Sequence, residues 1–285
     1  MPKTLTLSSP AKINLYLKVK AKRNDGYHDI VTVFERINLC DRLTFRDNAT
    51  GKITIHCDHP QVPTGGRNLV HRVARLLQER YRIRRGVDIR IRKNIPVAAG
   101  LAGGSSNAAT TLLALNRLWR LNLDLKELVS LSGEIGSDVA FFLYNCSWGL
   151  GVGRGNEIRV LKMPKKLTQI LVVPCVKLYA SEVYGALKFK LTRHNDNVNI
   201  LLHHLRNNKN DISSLMINDL ESAIIKMKPG LQKLKLRLKT LGAQGVMISG
   251  SGPAVFGLTR DSLQAQRLKR ILLNTYSRVF VVRTL

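Results

Sequence analysis

Four short stretches of this 285-residue chain hold residue types that can act together chemically. The most informative is Pro96-Val97-Ala98-Ala99-Gly100-Leu101-Ala102-Gly103-Gly104-Ser105-Ser106. Val87, Ile89 and Ile91 alternate ahead of it as a strand, and Ala108, Leu112, Leu115 and Trp119 follow it at helical spacing. A strand that runs through small residues into a helix lets an anion approach backbone N–H groups closely. It also offers the helix's partial positive charge and two serine hydroxyls. Phosphate is the ligand this chemistry suits. Neither G-x-x-x-x-G-K-[ST] nor G-x-G-x-x-G is present, so this is neither a P-loop nor a dinucleotide fingerprint. On the residues alone, a helix-packing loop of small side chains remains the competing reading.

The other three stretches are weaker taken singly. Lys12 and Asn14 share one face of an N-terminal strand whose other face carries Ile13, Leu15, Leu17 and Val19. A lysine in that place is ordinarily solvated. The chemical alternative is a cation beside a reacting group. Gly136-Ser137-Asp138 sets an acid directly before the apolar Val139-Ala140-Phe141-Phe142. It is either a cap or turn residue, or a carboxylate able to accept or orient a hydroxyl proton. Ser249-Gly250-Ser251-Gly252-Pro253 lies between two apolar strands. It reads equally as a tight hairpin and as a second small-residue loop able to touch phosphate or another backbone.

These residues need elements to hold them. The chain opens with strands: one through Lys12, a turn at Asp25-Gly26, a second over 30–39, and shorter ones over 43–45 and 53–55. A helix is predicted from Asn68, as N-cap, to about residue 81, and another from near Ser106. Asp124 with Glu127 forms a capping-box pattern for a third, carrying Leu125, Leu128, Leu131 and Ile135. The glycine-rich run 149–155 reads as a flexible or tightly turning crossing, with a domain boundary just after it, giving 1–157 and 158–285. The second half mixes strands (170–173, 246–248, 254–258, 279–282) with helices. Segment 231–241 alternates Leu and Lys over 234–239, as a strand would, but Leu231, Leu234, Leu238 and Leu241 step at helical spacing, so a helix is predicted, with Pro229 suiting its first turn and Gly242 its stop.

Composition narrows the partners. Lys and Arg number 46 against 19 Asp and Glu, a net charge of +27. Such a surface attracts polyanions, whether nucleic acid, acidic membrane or phosphorylated metabolites. No aromatic residues interleave regularly with the basic clusters, as a single-strand platform would require. Cys40, Cys57, Cys146 and Cys175 make no C-x-x-C pair, so free thiols in a reducing compartment are expected. His56-Cys57-Asp58-His59 lacks the spacing of a zinc module, and no protein metal site is expected. The uncharged stretch 95–116 has glycine and polar residues at its centre, unlike a lipid-facing helix. No secretory signal is evident, and a cytoplasmic location is expected.

Together these stretches resemble the GHMP kinase superfamily, whose three motifs they match across nearly the whole chain. Within it, Pro10-Ala11-Lys12-Ile13-Asn14-Leu15, Asp25-Gly26-Tyr27-His28 and Asn107-Ala108-Ala109 are similar to the branch that phosphorylates the 2-hydroxyl of a cytidine-diphosphate-linked methylerythritol. The resemblance implies an α+β, two-domain GHMP kinase fold, ribosomal-protein-like in its N-terminal domain and ferredoxin-like in its C-terminal domain. It implies ATP as co-substrate, Mg2+, a small-molecule acceptor with a cytidine diphosphate moiety, and no nucleic-acid or membrane partner. Position by position, it gives Asn68, Lys93 and the loop from Pro96 to Ser106 to ATP. Lys12 and Asp138 are the expected catalytic pair. Asn14, Tyr27, His28, Tyr184 and the loop Ser249, Gly250, Ser251, Gly252 are expected at the substrate, with Tyr27, His28 and Tyr184 around the cytosine. Ala98, Ala99 and Ala102 stand where the family often has glycine, and Ala140 where proline is common. No magnesium ligand can be assigned from the sequence. A homoserine- or mevalonate-type kinase and a basic RNA-binding protein are the alternatives.

Overall fold

The computed structural model describes residues 3–187, 198–209 and 211–285. It begins with β1 (Thr4–Lys22), β2 (His28–Asn48), β3 (Ile53–Cys57), α1 (Leu69–Arg80) and β4 (Gly86–Arg92). Then come α2 (Gly103–Leu118), α3 (Leu125–Gly133), α4 (Val139–Leu143), β5 (Trp148–Val152), β6 (Glu157–Leu161) and β7 (Thr168–Val172). The rest comprises α5 (Ala180–Gly185), α6 (Val198–Arg206), β8 (Ile217–Asn218), α7 (Glu221–Met227), α8 (Gly230–Thr240), β9 (Gln244–Ile248), β10 (Val255–Thr259), α9 (Ser262–Leu273) and β11 (Val279–Arg283).

Two compact units are built from interleaved stretches. The first holds the chain up to Ala11, Leu39–Val97 and Ala102–Asn145; the second holds Lys12–Asn38, Ala98–Leu101 and Cys146–Leu285. In the first unit β3 lies parallel to β4, a pairing that needs a crossover, and α1 supplies it. β4 runs antiparallel to the end of β2, Arg42 opposite Arg92 and Asn48 opposite Gly86. Strict alternation buries Leu43, Phe45, Val87, Ile89 and Ile91 and leaves Arg42, Arg46, Arg90 and Arg92 outside. α1 buries Val70, Val73, Ala74 and Leu77 and packs on α2.

In the second unit the start of β2 pairs antiparallel with β5, and β5 with β6, while β1 pairs parallel with β8. A separate antiparallel sheet has the order β11-β7-β10-β9. With α7 and α8 before β9 and α9 before β11, this is the split β-α-β-β-α-β arrangement expected of a ferredoxin-like domain. Its core gathers Ile170, Val172, Leu231, Leu234, Leu238, Ile248, Val255 and Leu268.

The Asn68 cap, the full Asp124–Glu127 capping box and the helix after Pro229 are as the sequence predicts. Three boundaries differ. Strands 30–39 and 43–45 are one strand, because Asp41, which interrupts the apolar pattern, finds partners inside the protein. The run 149–155 is half strand: Trp148–Val152 pairs on both sides, and only Gly153-Arg154-Gly155 turns. Its glycines answer to packing, since a Cβ on Gly151 would come within 2.7 Å of Phe34. α2 starts at Gly103 rather than near Ser106, so both serines lie in its first turn. No helix among the described residues is long and apolar enough to cross a membrane.

Candidate active site

The small-residue loop takes a path that L side chains resist. Ala98, Gly100 and Ala102 have φ of 51°, 75° and 52°. Two alanines in the left-handed region cost about 1–2 kcal/mol each, so the structure around them must hold the path in place. Within the first unit that support comes from Asp41. Its Oδ1 accepts from the backbone N–H groups of Asn94 and Ile95, both at 2.8 Å. Its Oδ2 accepts from Lys93 Nζ at 2.5 Å and Asn107 Nδ2 at 3.0 Å. The two strands of support meet on one buried carboxylate: the residues leading into the loop and the helix leading out of it.

Lys93, expected at the nucleotide, has its side chain 6% exposed and also donates to the Ile95 carbonyl at 2.8 Å. Burial holds its ammonium below the ordinary lysine range, against the pull of Asp41. Its Nζ lies 3.0 Å from where a Gly103 Cβ would stand. Lys93 is thus a strut beneath the first residue of α2. Ser106 is likewise turned inward: its hydroxyl pairs with Ser9 Oγ at 2.7 Å. The expectation of two outward hydroxyls is corrected to one, Ser105, which is half-buried, beside the exposed Gly104. Asn68 also serves the scaffold: it caps Val70 N–H through Oδ1 and donates to the Pro63 carbonyl.

The second unit gathers Lys12, Asn14, the middle of the loop and the Ser249–Pro253 turn. Lys12, 4% exposed, is no solvated lysine. Its Nζ donates to Asn14 Oδ1 at 2.7 Å and Gly100 O at 3.4 Å, and lies 5.4 Å from the Phe34 ring centroid. Asn14 in turn donates to Thr32 Oγ1, and Thr32 to the Tyr16 carbonyl, each at 2.7 Å. The amide expected at the substrate therefore orients Lys12. Ser249 Oγ donates to Gly100 O, and Ala254 N–H to Ala99 O. The two small-residue loops touch directly, and a Cβ on Gly100 would collide with the Ser249 carbonyl. Asn218 pins the second loop from behind, donating to the carbonyls of Ile248 and Gly250.

Also in the second unit, His28 and Tyr184 stack with centroids 5.1 Å apart and planes 28° apart. Burial, and secondarily the charge of Lys22, hold the His28 imidazole below its ordinary value. The neutral ring keeps one donor and one acceptor nitrogen. Tyr27, adjacent in the chain, is 50% exposed. Asp138, in the first unit, stands at the N-cap position of α4 but makes no capping bond to it, which weakens the cap reading. Ser9, Thr32, Asp41 and Asn218 escape motif reading. No pattern in the sequence singles them out, and only their burial in the fold marks them.

Residues 68–146 match the model of the GHMP kinases N terminal domain, and 197–278 that of the GHMP kinases C terminal domain. The 4-diphosphocytidyl-2-C-methyl-D-erythritol kinase of Exiguobacterium sibiricum is 41% identical over 283 residues, 99% of this chain and 98% of the relative. The chain belongs to the GHMP kinase family. That makes it a kinase, with ATP as co-substrate. The Shouchella clausii protein of the same name is 40% identical, across 98% of this chain and 93% of its own. A crystal structure of 4-(cytidine 5'-diphospho)-2C-methyl-D-erythritol kinase superposes with a TM-score of 0.84 at 32% identity, covering 98% of this chain and 99% of that one. A homoserine kinase from Cytophaga hutchinsonii shares the fold, with a TM-score of 0.78 at 21% identity over 99% and 94% of the two chains.

Proposed function

We propose that this kinase transfers the γ-phosphoryl group of ATP to the 2-hydroxyl of 4-diphosphocytidyl-2-C-methyl-D-erythritol, a step towards isoprenoid precursors by the non-mevalonate route, in the cytoplasm. The observation that carries the substrate choice is the stacked His28–Tyr184 pair beside exposed Tyr27, in the unit that also holds Lys12. A homoserine or mevalonate site has no nucleobase for such rings to meet. The relatives' shared name points the same way.

Phosphoryl transfer requires positioning and neutralisation of charge more than covalent help. The amides of the loop Pro96–Ser106 and the start of α2 take the nucleotide phosphates, while Asp41 and Lys93 keep the loop's shape. Lys12, aimed by Asn14 and Thr32, stabilises charge on the attacking oxygen, and Asp138 accepts or orients the hydroxyl proton. Tyr27, His28 and Tyr184 take the cytosine, and Ser249–Gly252 brace the acceptor. In this reading residues 1–157 bind ATP and carry the catalytic pair, and 158–285 complete the substrate site. Magnesium would arrive on the nucleotide phosphates, as it does where one or two carboxylates suffice. Among the described residues no group of three or more His, Cys, Asp or Glu side chains forms a cage for it. The basic surface suits two polyanionic substrates.

A coupled ADP-release assay with this acceptor, homoserine and mevalonate tests the assignment. Turnover with the cytidine-linked alcohol alone is expected. Turnover with homoserine or mevalonate, and none with the cytidine compound, would overturn it.

A further inference from the structure

The turn between β5 and β6 holds a side chain that neither the motifs nor the phosphate chemistry uses. Arg154 sits between Gly153 and Gly155, with φ of 62° and 85°, and the Gly153 carbonyl accepts from Ile30 N–H at 2.7 Å. This tight, tied turn sets the guanidinium carbon of Arg154 3.6 Å from the centroid of the Tyr27 ring. That is a face-on cation–π stack. Arg154 Nε is shut away from solvent with no hydrogen-bond partner among the described residues.

The backbone that carries the ring is held as well. Tyr27 N–H donates to Asp25 Oδ1 at 3.1 Å, and Arg23 holds both Asp25 and Asp29. Asp25 feels the Arg154 charge as a minor influence on its lowered carboxyl pKa, consistent with one compact cluster. With one face covered by Arg154, a Tyr27 that is 50% exposed turns its other face outward. A freely rotating surface tyrosine would lose side-chain freedom on binding a flat ligand, whereas a ring already backed by a guanidinium loses much less.

We propose that Arg154 is a positioning residue that sets specificity for the acceptor: it backs Tyr27 so that the free face of the ring receives the nucleobase. This role rests on the reading of Tyr27 as a cytosine contact. The test is steady-state kinetics on Arg154→Met, Tyr27→Ala and the double variant, with the cytidine-linked acceptor and ATP each varied. Arg154→Met should raise the acceptor KM about fivefold and leave kcat and the ATP KM unchanged. In the Tyr27→Ala background the same change should add nothing. An unchanged acceptor KM in Arg154→Met, beside a raised one in Tyr27→Ala, refutes the Arg154 role alone. So does an equal rise with and without Tyr27, which would mean that the arginine acts independently of the ring. An unchanged KM in Tyr27→Ala refutes the nucleobase reading itself, and this role with it.

Discussion

The brace around Asp41 and the cluster around Tyr27 are built on opposite plans. Asp41 is fully buried and accepts from two backbone N–H groups, an ammonium and an amide. Tyr27 is half exposed and is held by a stack and a short turn. The first plan fixes a backbone path that two alanines would otherwise leave. The second presents a flat surface to a visitor. Damage to the brace should therefore appear as lost folding stability together with lost turnover. Damage to the cluster should appear as lost acceptor affinity in a protein that is otherwise intact.

The largest effect is expected from Asp41→Ala. Removing one partner of a buried ion pair strands the other, and the loss should be about 3–5 kcal/mol in denaturant unfolding. A variant as stable as the parent would break the contrast. A second buried acid on the same strand sharpens it. Glu35 is fully buried, its hydrogen-bond donors among the described residues are the neutral Gln169 and Thr284, and burial pushes its carboxyl up to about 7. Because its folded value lies above the ordinary carboxylate range, its contribution to stability is present below pH 4.5 and is lost as pH rises through about 7. Thermal unfolding between pH 5 and 8 should show this decline in the parent and a flatter profile in Glu35→Gln; parallel profiles would count against it. Tyr27→Ala should then raise the acceptor KM about tenfold, the worth of one base stack, with the melting temperature unmoved. The smallest effect is Ala98→Gly, which relieves a left-handed alanine and should stabilise the fold by about 1 kcal/mol. A destabilised variant would show that unfolded-state freedom outweighs the strain.

Much of this was legible in the residues. Alternation through Lys12, the Asn68 cap, the Asp124 capping box and the loop after Ile95 all rest on local rules, and local rules survive folding. The four-stranded sheet was legible as strands, but its order was not, because pairing depends on distant residues. At the site, residue type showed which side chains can do chemistry without showing where their atoms point. Lys93 and Ser106 look like phosphate ligands and turn inward. Asp41 looks like an interruption in a strand and is the brace. Arg154 looks like one more charge among 46, and only the turn geometry stacks it on Tyr27.

The central claim is that the loop grips ATP while Lys12 and Asp138 carry out the transfer, so that binding and turnover can be separated. Titration of ATP into Asp138→Asn by calorimetry, paired with ADP release from the same preparation, tests this directly. Near-parental ATP affinity with turnover reduced about 100-fold or more is the predicted result. Near-parental turnover would contradict the account.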